Sequence, residues 1–332
     1  MSKSIRQKLK PIYILDILRK YSDEEHPLTA NEICGYLESE GISAERKSVY
    51  SDIEALCDYG CDIIRSFSGK KGFFLASREF EEAEIYLLCD AVRTAKFISP
   101  KKTRELVAKL DSMLSQNQVR SRQKNVYFNY GLKCQNEEIF YNIDSISKAI
   151  SKGVKIKFKY TSRCLSGREI KKNEKEMIIN PYALTWQDDH YYLIGNYDKY
   201  DNLIHIRLDR IRSVELLEDK SRHFSLVSEY KDFFDVSDYT NRLFNMHSGK
   251  VEEIELCCNK KITEQVLDRF SENIFITNAD EKEFTFSYKA AISEALVTFI
   301  LNYGDSIKVI KPDTLSQMVK ERAEKVLNLY KI

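Results

Sequence analysis

Long apolar runs are missing from this 332-residue chain. The longest, around Ala295 to Leu301, is far shorter than the ~20 residues a membrane-spanning helix requires. The N-terminal stretch MSKSIRQKLKPIYIL is basic, but no small-residue cleavage site follows its short apolar segment. No secretion signal is read there, and a cytoplasmic location is expected. Metal-binding cysteine spacing is also lacking. Of eight cysteines, Cys57 and Cys61 are four apart, Cys257 and Cys258 are neighbours, and Cys34, Cys89, Cys134 and Cys164 stand alone. None forms a C-x-x-C pair, so reduced thiols used as small apolar residues are expected, with no metal. Catalytic signatures are absent too: there is no G-x-S-x-G, H-E-x-x-H, P-loop or dinucleotide fingerprint. The five histidines are scattered. His190 and His205 could meet across a small barrel, but no nearby carboxylate or cysteine pattern completes a metal or catalytic site around them. Neither an enzyme nor a cofactor is expected.

What is present suits soluble globular domains: 43% hydrophobic and 31% charged residues, in a length that accommodates two or three domains. The net charge of +1 recommends neither nucleic acid nor membrane, but its distribution is uneven. From Lys148 through Lys175 there are ten Lys or Arg against only Glu169 and Glu174, while residues 251–332 carry 11 basic and 14 acidic residues. A local basic field can bind polyanions when the whole chain is near neutral, although such a run can also be no more than a solvated face.

The first 78 residues have a helical rhythm. Ile14, Ile17, Leu18 and Tyr21 predict a helix over roughly residues 5–21. In LTANEICGYLESEGI, Thr29 and Glu32 have capping-box spacing, and Leu28 and Ile33 are placed as its hydrophobic staple. Ser43 is expected to cap a third helix, SAERKSVYSDIEALCDYG, with Gly60 as its stop. Val49, Ile53 and Leu56 share one face, while Lys47, Tyr50 and Ser51 are expected to point the other way, flanked by Arg46. CDIIRSFSGKKGFFLA then predicts two short strands around a turn, carrying Arg65, Lys70 and Lys71. Three helices and a basic hairpin make a winged helix-turn-helix, whose third helix enters the major groove. Arg and Lys suit phosphates or guanine edges, and Ser and Tyr suit phosphate or base. Basic and acidic residues balance at 12 each over 1–78, so the case rests on clustering, and winged helices also serve protein contacts.

Two further helices are predicted over residues 80–116, the second restarted by Ser99-Pro100 with a cap and a proline at its first position. They read as a linker able to supply dimer contacts, followed by a weakly patterned connection from Arg120 to Glu138. From Asn142 a helix leads into VKIKFKY, a half-buried strand whose lysines alternate with Val154, Ile156 and Phe158. Further strands follow through EMIINPYALTWQDDHYYLIGNYDKYDNLIHIRLDRIRSVELLED, with turns at Gln187–Asp189 and Asp198–Asn202. Many short strands suggest a small, strongly bent barrel. Residues 251–332 read strand, helix, strand, helix, strand, helix, an order taken as a ferredoxin-like sandwich.

IKFKY, INPYAL, YYLIG and IRLDRI together resemble the WYL-domain family of bacterial transcriptional regulators. Tyr191 stands where that family usually has tryptophan. RKSVYSDIEAL is similar to the family's N-terminal module, with Ser51 replacing a usual arginine, which weakens or redirects DNA contact. The resemblance covers nearly the whole chain. It implies an SH3-like, Sm-type barrel that senses a nucleic-acid or nucleotide ligand, with Tyr160, Arg163, His190, Tyr191, Arg207 and Arg210 around a basic pocket. Guanidinium groups fork onto phosphates and aromatic faces stack on bases. Strand alternation keeps Tyr191 and Tyr192 from both facing the ligand, and either arginine could instead partner Asp209.

The expected fold is therefore α+β: a winged helix-turn-helix over 1–78, a helical linker or dimerisation segment over 79–138, a WYL ligand-sensing barrel over 139–222, a linker over 223–250 and a ferredoxin-like WYL extension over 251–332. The expected function is a homodimeric, ligand-responsive regulator that binds duplex operator DNA and a single-stranded oligonucleotide or nucleotide effector. The alternative is an RNA- or ssDNA-binding accessory protein, for example in phage defence, working mainly through the WYL domain.

Overall fold

A computed structural model describes residues 3–67, 69–123, 133–272 and 274–331. The chain is mixed α and β and divides into two compact units, Met1–Gln135 and Asn136–Ile332.

The first unit opens with α1 (Lys3–Lys8) and α2 (Lys10–Tyr21), where one continuous helix was expected. Pro11 at the start of α2 has no N–H to continue the ladder from α1, so the chain breaks at Leu9. α3 (Ala30–Ser39) begins with the capping box: the Thr29 side chain accepts from the Glu32 amide, and Glu32 accepts from the Thr29 amide at 2.7 Å. Such a cap is worth about 1 kcal/mol. α4 (Arg46–Asp58) starts two residues later than expected; Glu45 is its N-cap without a side-chain bond, and Ser43 does not cap it. β1 (Ile63–Ser66) and β2 (Gly72–Leu75) pair antiparallel. Leu28 adds a bridge to Phe73, with paired N–H to O bonds of 2.8 and 2.7 Å. Gly72 is what permits this approach, because a Cβ there would lie 2.6 Å from the Leu28 backbone. Ile14, Leu18, Ile33, Leu37, Val49, Ile53 and Phe73 form the core of this part.

α5 (Glu82–Thr94) and α6 (Pro100–Asp111) are the expected pair, and the Ser99 hydroxyl accepts from the Lys102 amide as predicted. α7 (Gln116–Gln123) was not expected, since QNQVRSRQ carries no apolar stripe. Most of the polar connection read beyond it, 124–132, lies outside the described residues. Ile85, Cys89 and Leu114 make a small separate core, while Leu87 and Leu88 are exposed. Arg78 ties the helices to the N-terminal bundle, donating to the carbonyls of Arg19 at 2.9 Å, Ser22 at 2.8 Å and Met113 at 3.1 Å.

The second unit opens with α8 (Ile139–Lys152), which buries Ile139, Asn142, Ile146 and Ala149. It packs on a five-stranded antiparallel sheet of β3 (Val154–Ser166), β4 (Glu169–Gln187), β5 (His190–Asn196), β6 (Leu203–Arg207) and β7 (Ile211–Lys220), in the order β6-β5-β4-β3-β7. Two strands are far longer than the short ones expected: β3 and β4 run 13 and 19 residues. The N-terminal half of β4 pairs with β3, its C-terminal half with β5, so one strand serves both halves of the sheet. Asp188 and Asp189, both at positive φ, make the tight turn into β5. Gly195 lets β5 close on β4, as a Cβ there would meet the Asn180 carbonyl at 2.6 Å.

After the short α9 (Val236–Asn241) come β8 (Val251–Asn259), α10 (Thr263–Phe270), β9 (Phe275–Ala279), β10 (Glu283–Ala291), α11 (Glu294–Asn302), β11 (Ile307–Lys311) and α12 (Asp313–Leu329). The sheet order is β11-β8-β10-β9. β9 is the correction here: four strands are present where the sequence showed three. Every β9 side chain is exposed, so it has no inside-outside alternation to read.

Candidate functional site

Two groups of polar side chains were expected to carry function, one in each unit. In the first, α4 exposes Arg46, Lys47 and Ser51 while burying Val49, Ile53 and Leu56. Tyr50 departs from expectation. It is half-buried, packs against the core and meets Phe73 edge-on at 5.6 Å. Along a helix Tyr50 neighbours both faces, and the hairpin covers the side on which it falls. Arg65 lies over three rings, those of Phe67, Tyr50 and Phe73, at 5.1, 5.6 and 5.7 Å. Lys70 pairs with Glu32 at 2.8 Å. Lys71 is exposed. Arg46, Lys47, Ser51, Arg65, Lys70 and Lys71 are thus all presented to solvent, with Lys70 held by Glu32 and Arg65 lying over the half-buried Tyr50.

In the second unit the register decides which tyrosine is which. Tyr192 sits opposite Arg207 across β5 and β6, whereas Tyr191 sits opposite Trp186 across β4 and β5. Successive side chains point to opposite faces, so Tyr192 and not Tyr191 shares a side with Arg207. His190, two residues away, shares that side too, its ring 6.2 Å from Tyr192. Burial raises the Tyr192 hydroxyl above its ordinary pKa; Asp188 and Asp209 push the same way, and Arg207 and Arg210 oppose. Arg207 forks onto Asp209, with Nε–Oδ1 3.0 Å and Nη2–Oδ2 2.8 Å. Burial alone would lower the Arg207 pKa, and the Asp209 fork carries it above the usual value. Arg210 is exposed and reaches the Tyr160 hydroxyl at 3.4 Å.

The structure therefore brings together Tyr160, Arg207, Arg210 and, through Tyr192, His190. It leaves out Arg163, which lies three residues further along β3 opposite Lys172. Tyr191 belongs to the other face. Arg207 is already committed to a carboxylate, so Arg210 is the guanidinium best placed to fork onto a phosphate, with the Tyr160 and Tyr192 rings beside it. Two residues missed in the sequence hold this corner. The side-chain amides of Asn136 and Asn142 donate to the Ile211 carbonyl at 2.7 and 2.9 Å, and Asn136 also reaches the Asp209 carbonyl at 3.3 Å. They hold the middle and the C-terminal side of the 3-10 turn Leu208–Arg210 that carries the arginine. Only the burial of an asparagine on an otherwise apolar helix face hints at such a role.

Nor do the two histidines meet. His205 lies opposite Ile194, well along β5 from His190, and its Nε2 is 2.8 Å from the Tyr239 hydroxyl. Burial pulls the His205 imidazole from 6.5 down to about 4, with the nearby His247 adding to the shift. Because the folded value is the lower one, the unfolded chain takes up the proton first as pH falls. Stability is full above about pH 6.5 and is lost between there and about pH 4. The loss should reach roughly 3 kcal/mol. Denaturant unfolding at pH 7 and pH 4.5 should show this loss shrinking in His205→Phe relative to the parent; an identical pH dependence in both would contradict it.

Among the described residues no group of three or more His, Cys, Asp or Glu is placed to hold a metal ion, and no helix is long and apolar enough to cross a membrane.

A family model of the WYL domain matches residues 141–216, which span α8 to β7 and contain this corner. The chain contains a WYL domain. A second family model, the WCX domain, matches residues 250–327, the four-stranded part that follows the WYL domain. Among solved structures the chain is similar to proteasome accessory factor B/C (PafBC) of Arthrobacter aurescens, at 15% identity and a TM-score of 0.28 over 97% of this chain and 49% of that one. It spans about half the length of that protein. A crystal structure of a CRISPR Cas-related protein matches at 14% identity and a TM-score of 0.37, over 99% of this chain and 85% of that one. At such scores neither bears on what this WYL-domain protein does. A comparison with curated protein sequences found no match.

Proposed function

We propose that this WYL-domain protein is a DNA-binding transcriptional regulator whose affinity for its operator responds to a phosphate-bearing effector held by the WYL domain. In this reading the first 78 residues act as a winged helix-turn-helix, α4 enters the major groove, and the hairpin with Lys71 follows the backbone. The WYL domain serves as a small SH3-like barrel and the WCX domain as a ferredoxin-like sandwich. The observation that carries the reading is the row of exposed Arg46, Lys47 and Ser51 on a helix whose opposite face is fully committed to the core. A helix anchored on one side, with two exposed cations at its N-terminal end and its exposed acids, Glu54 and Asp58, toward the other end, can set that first end against a polyanion. The effector is a short single-stranded oligonucleotide or a nucleotide, forked by Arg210 and stacked near Tyr160 and Tyr192. No catalytic or cofactor role is proposed. A homodimer fits best, since one winged helix reads few bases and Leu87 and Leu88 on α5 are exposed at 72% and 38%.

Selection of bound duplexes from a random pool by the full chain tests this. Enrichment of an inverted repeat, with half-sites about 34 Å or a multiple apart, is the expected result. A pool that stays random after several rounds would overturn the reading.

A further inference from the structure

The basic run of the sequence turns out to lie outside the effector corner. β3 and β4 continue past the body of the sheet as a two-stranded ribbon, and every residue from Arg163 to Glu176 is exposed. On one face, Arg163 stands directly opposite Lys172, and Leu165 stands directly opposite Ile170. The other face carries Lys171 opposite Cys164 and Lys175 opposite Tyr160. Arg168 lies in the turn at the tip, after Gly167.

This arrangement opposes the folding of the free ribbon. Like charges directly across an antiparallel pair destabilise it. Glu174 shares this face, opposite Thr161, but among the described residues no ion pair joins it to Arg163 or Lys172. Next to them, Leu165 and Ile170 are 77% and 70% exposed, so the apolar pair nearest the tip gains almost nothing from burial. Lysines that only protect a sheet edge would not face an arginine, nor leave bare aliphatic residues beside it. An anionic surface that also offers apolar groups would offset both costs, although Glu174 on the same face opposes it.

We propose that the Arg163–Lys172 ribbon is a second nucleic-acid contact, a β-arm that enters the major groove of duplex DNA. The groove is about 12 Å wide and admits a two-stranded ribbon, whereas the deep major groove of A-form RNA does not. Cations on both faces reach the phosphates of both groove walls. Leu165 and Ile170 meet apolar groups on the groove floor, of which the thymine methyl is the one available. The arm is separate from α4 and from the effector corner, and it stands whether or not α4 reads DNA.

The test uses the full chain and a labelled mixed-sequence duplex followed by fluorescence anisotropy over a salt series. Arg163→Thr with Lys172→Thr keeps strand-forming residues and removes the repulsion, so its melting temperature should equal or exceed the parent's. Its affinity should fall about tenfold, and the slope of log affinity against log salt should drop by about 2. Leu165→Thr with Ile170→Thr should weaken binding severalfold at an unchanged salt slope. Arg46→Ala with Lys47→Ala, run on the same duplex, reports on α4 independently of the arm. Parent-like affinity and salt slope in the Arg163→Thr/Lys172→Thr protein would overturn the proposal. So would arm variants that keep their DNA affinity yet lose capture by phosphatidylserine vesicles, which would make the arm a membrane contact.

Discussion

Exchanging Arg46 and Lys47 together for alanine is expected to weaken operator binding about hundredfold without lowering the melting temperature. Both side chains are exposed, and among the described residues no hydrogen bond or ion pair holds either, so folding should be little affected. A good contact to a base edge or phosphate is worth about 1–3 kcal/mol, and two together about 3 kcal/mol, a factor near a hundred. If both reach phosphates, the salt slope falls by about 1.8 and the loss is the same on every sequence. If either reads a base, the loss is larger on the operator than on unrelated duplex. Tyr50 is excluded from this test for a physical reason: it packs on Phe73 beneath Arg65, and its removal would loosen the hairpin as well as any contact to DNA. Parent-like operator affinity in the double variant would remove α4 as the reader.

The second large effect is expected at the WYL corner. Arg210→Ala should lower affinity for a short labelled oligonucleotide about tenfold or more, because charge-assisted contacts to phosphate are among the stronger hydrogen bonds a protein makes. Among the described residues its one hydrogen bond is the long one to Tyr160, so folding should be unaffected. Arg207→Ala should behave differently. It removes both bonds that Arg207 makes to the largely buried Asp209 side chain, and so should cost stability as well as binding. Titration of both variants alongside their thermal melts separates a ligand contact from a structural strut. If Arg210→Ala binds the oligonucleotide as well as the parent, this corner is not the effector site.

How much of this could be read in the sequence depended on whether a residue's role was local. The Thr29–Glu32 capping box and the Ser99-Pro100 start need only four neighbouring residues, and both stand as read. Ser43 had the right chemistry but lies too far ahead of the first turn of α4, which begins at Arg46. Tyr50 was assigned by helical spacing to the solvent side, yet the partner that covers it, Phe73, comes from a strand 23 residues on. Strands showed themselves where one face was buried, as in VKIKFKY, and vanished where neither was: the exposed arm and β9 have no alternation to detect. The choice between Tyr191 and Tyr192 waited on register, since only the β5–β6 pairing puts Tyr192 across from Arg207. Arg163 was placed at the pocket by the family resemblance, and the extended strand carries it away from there.

The central claim is that one ligand at the WYL corner changes what the DNA-binding unit does. A ligand moves such an equilibrium only as far as its affinities for the two states differ, and the coupling is reciprocal. The direct measurement is operator affinity with and without a saturating short oligonucleotide effector, in the parent and in Arg210→Ala. The parent should change its operator affinity about tenfold, the oligonucleotide affinity should change by the same factor when operator is present, and Arg210→Ala should show neither. An oligonucleotide that binds the parent through Arg210 and leaves its operator affinity unchanged would contradict the account.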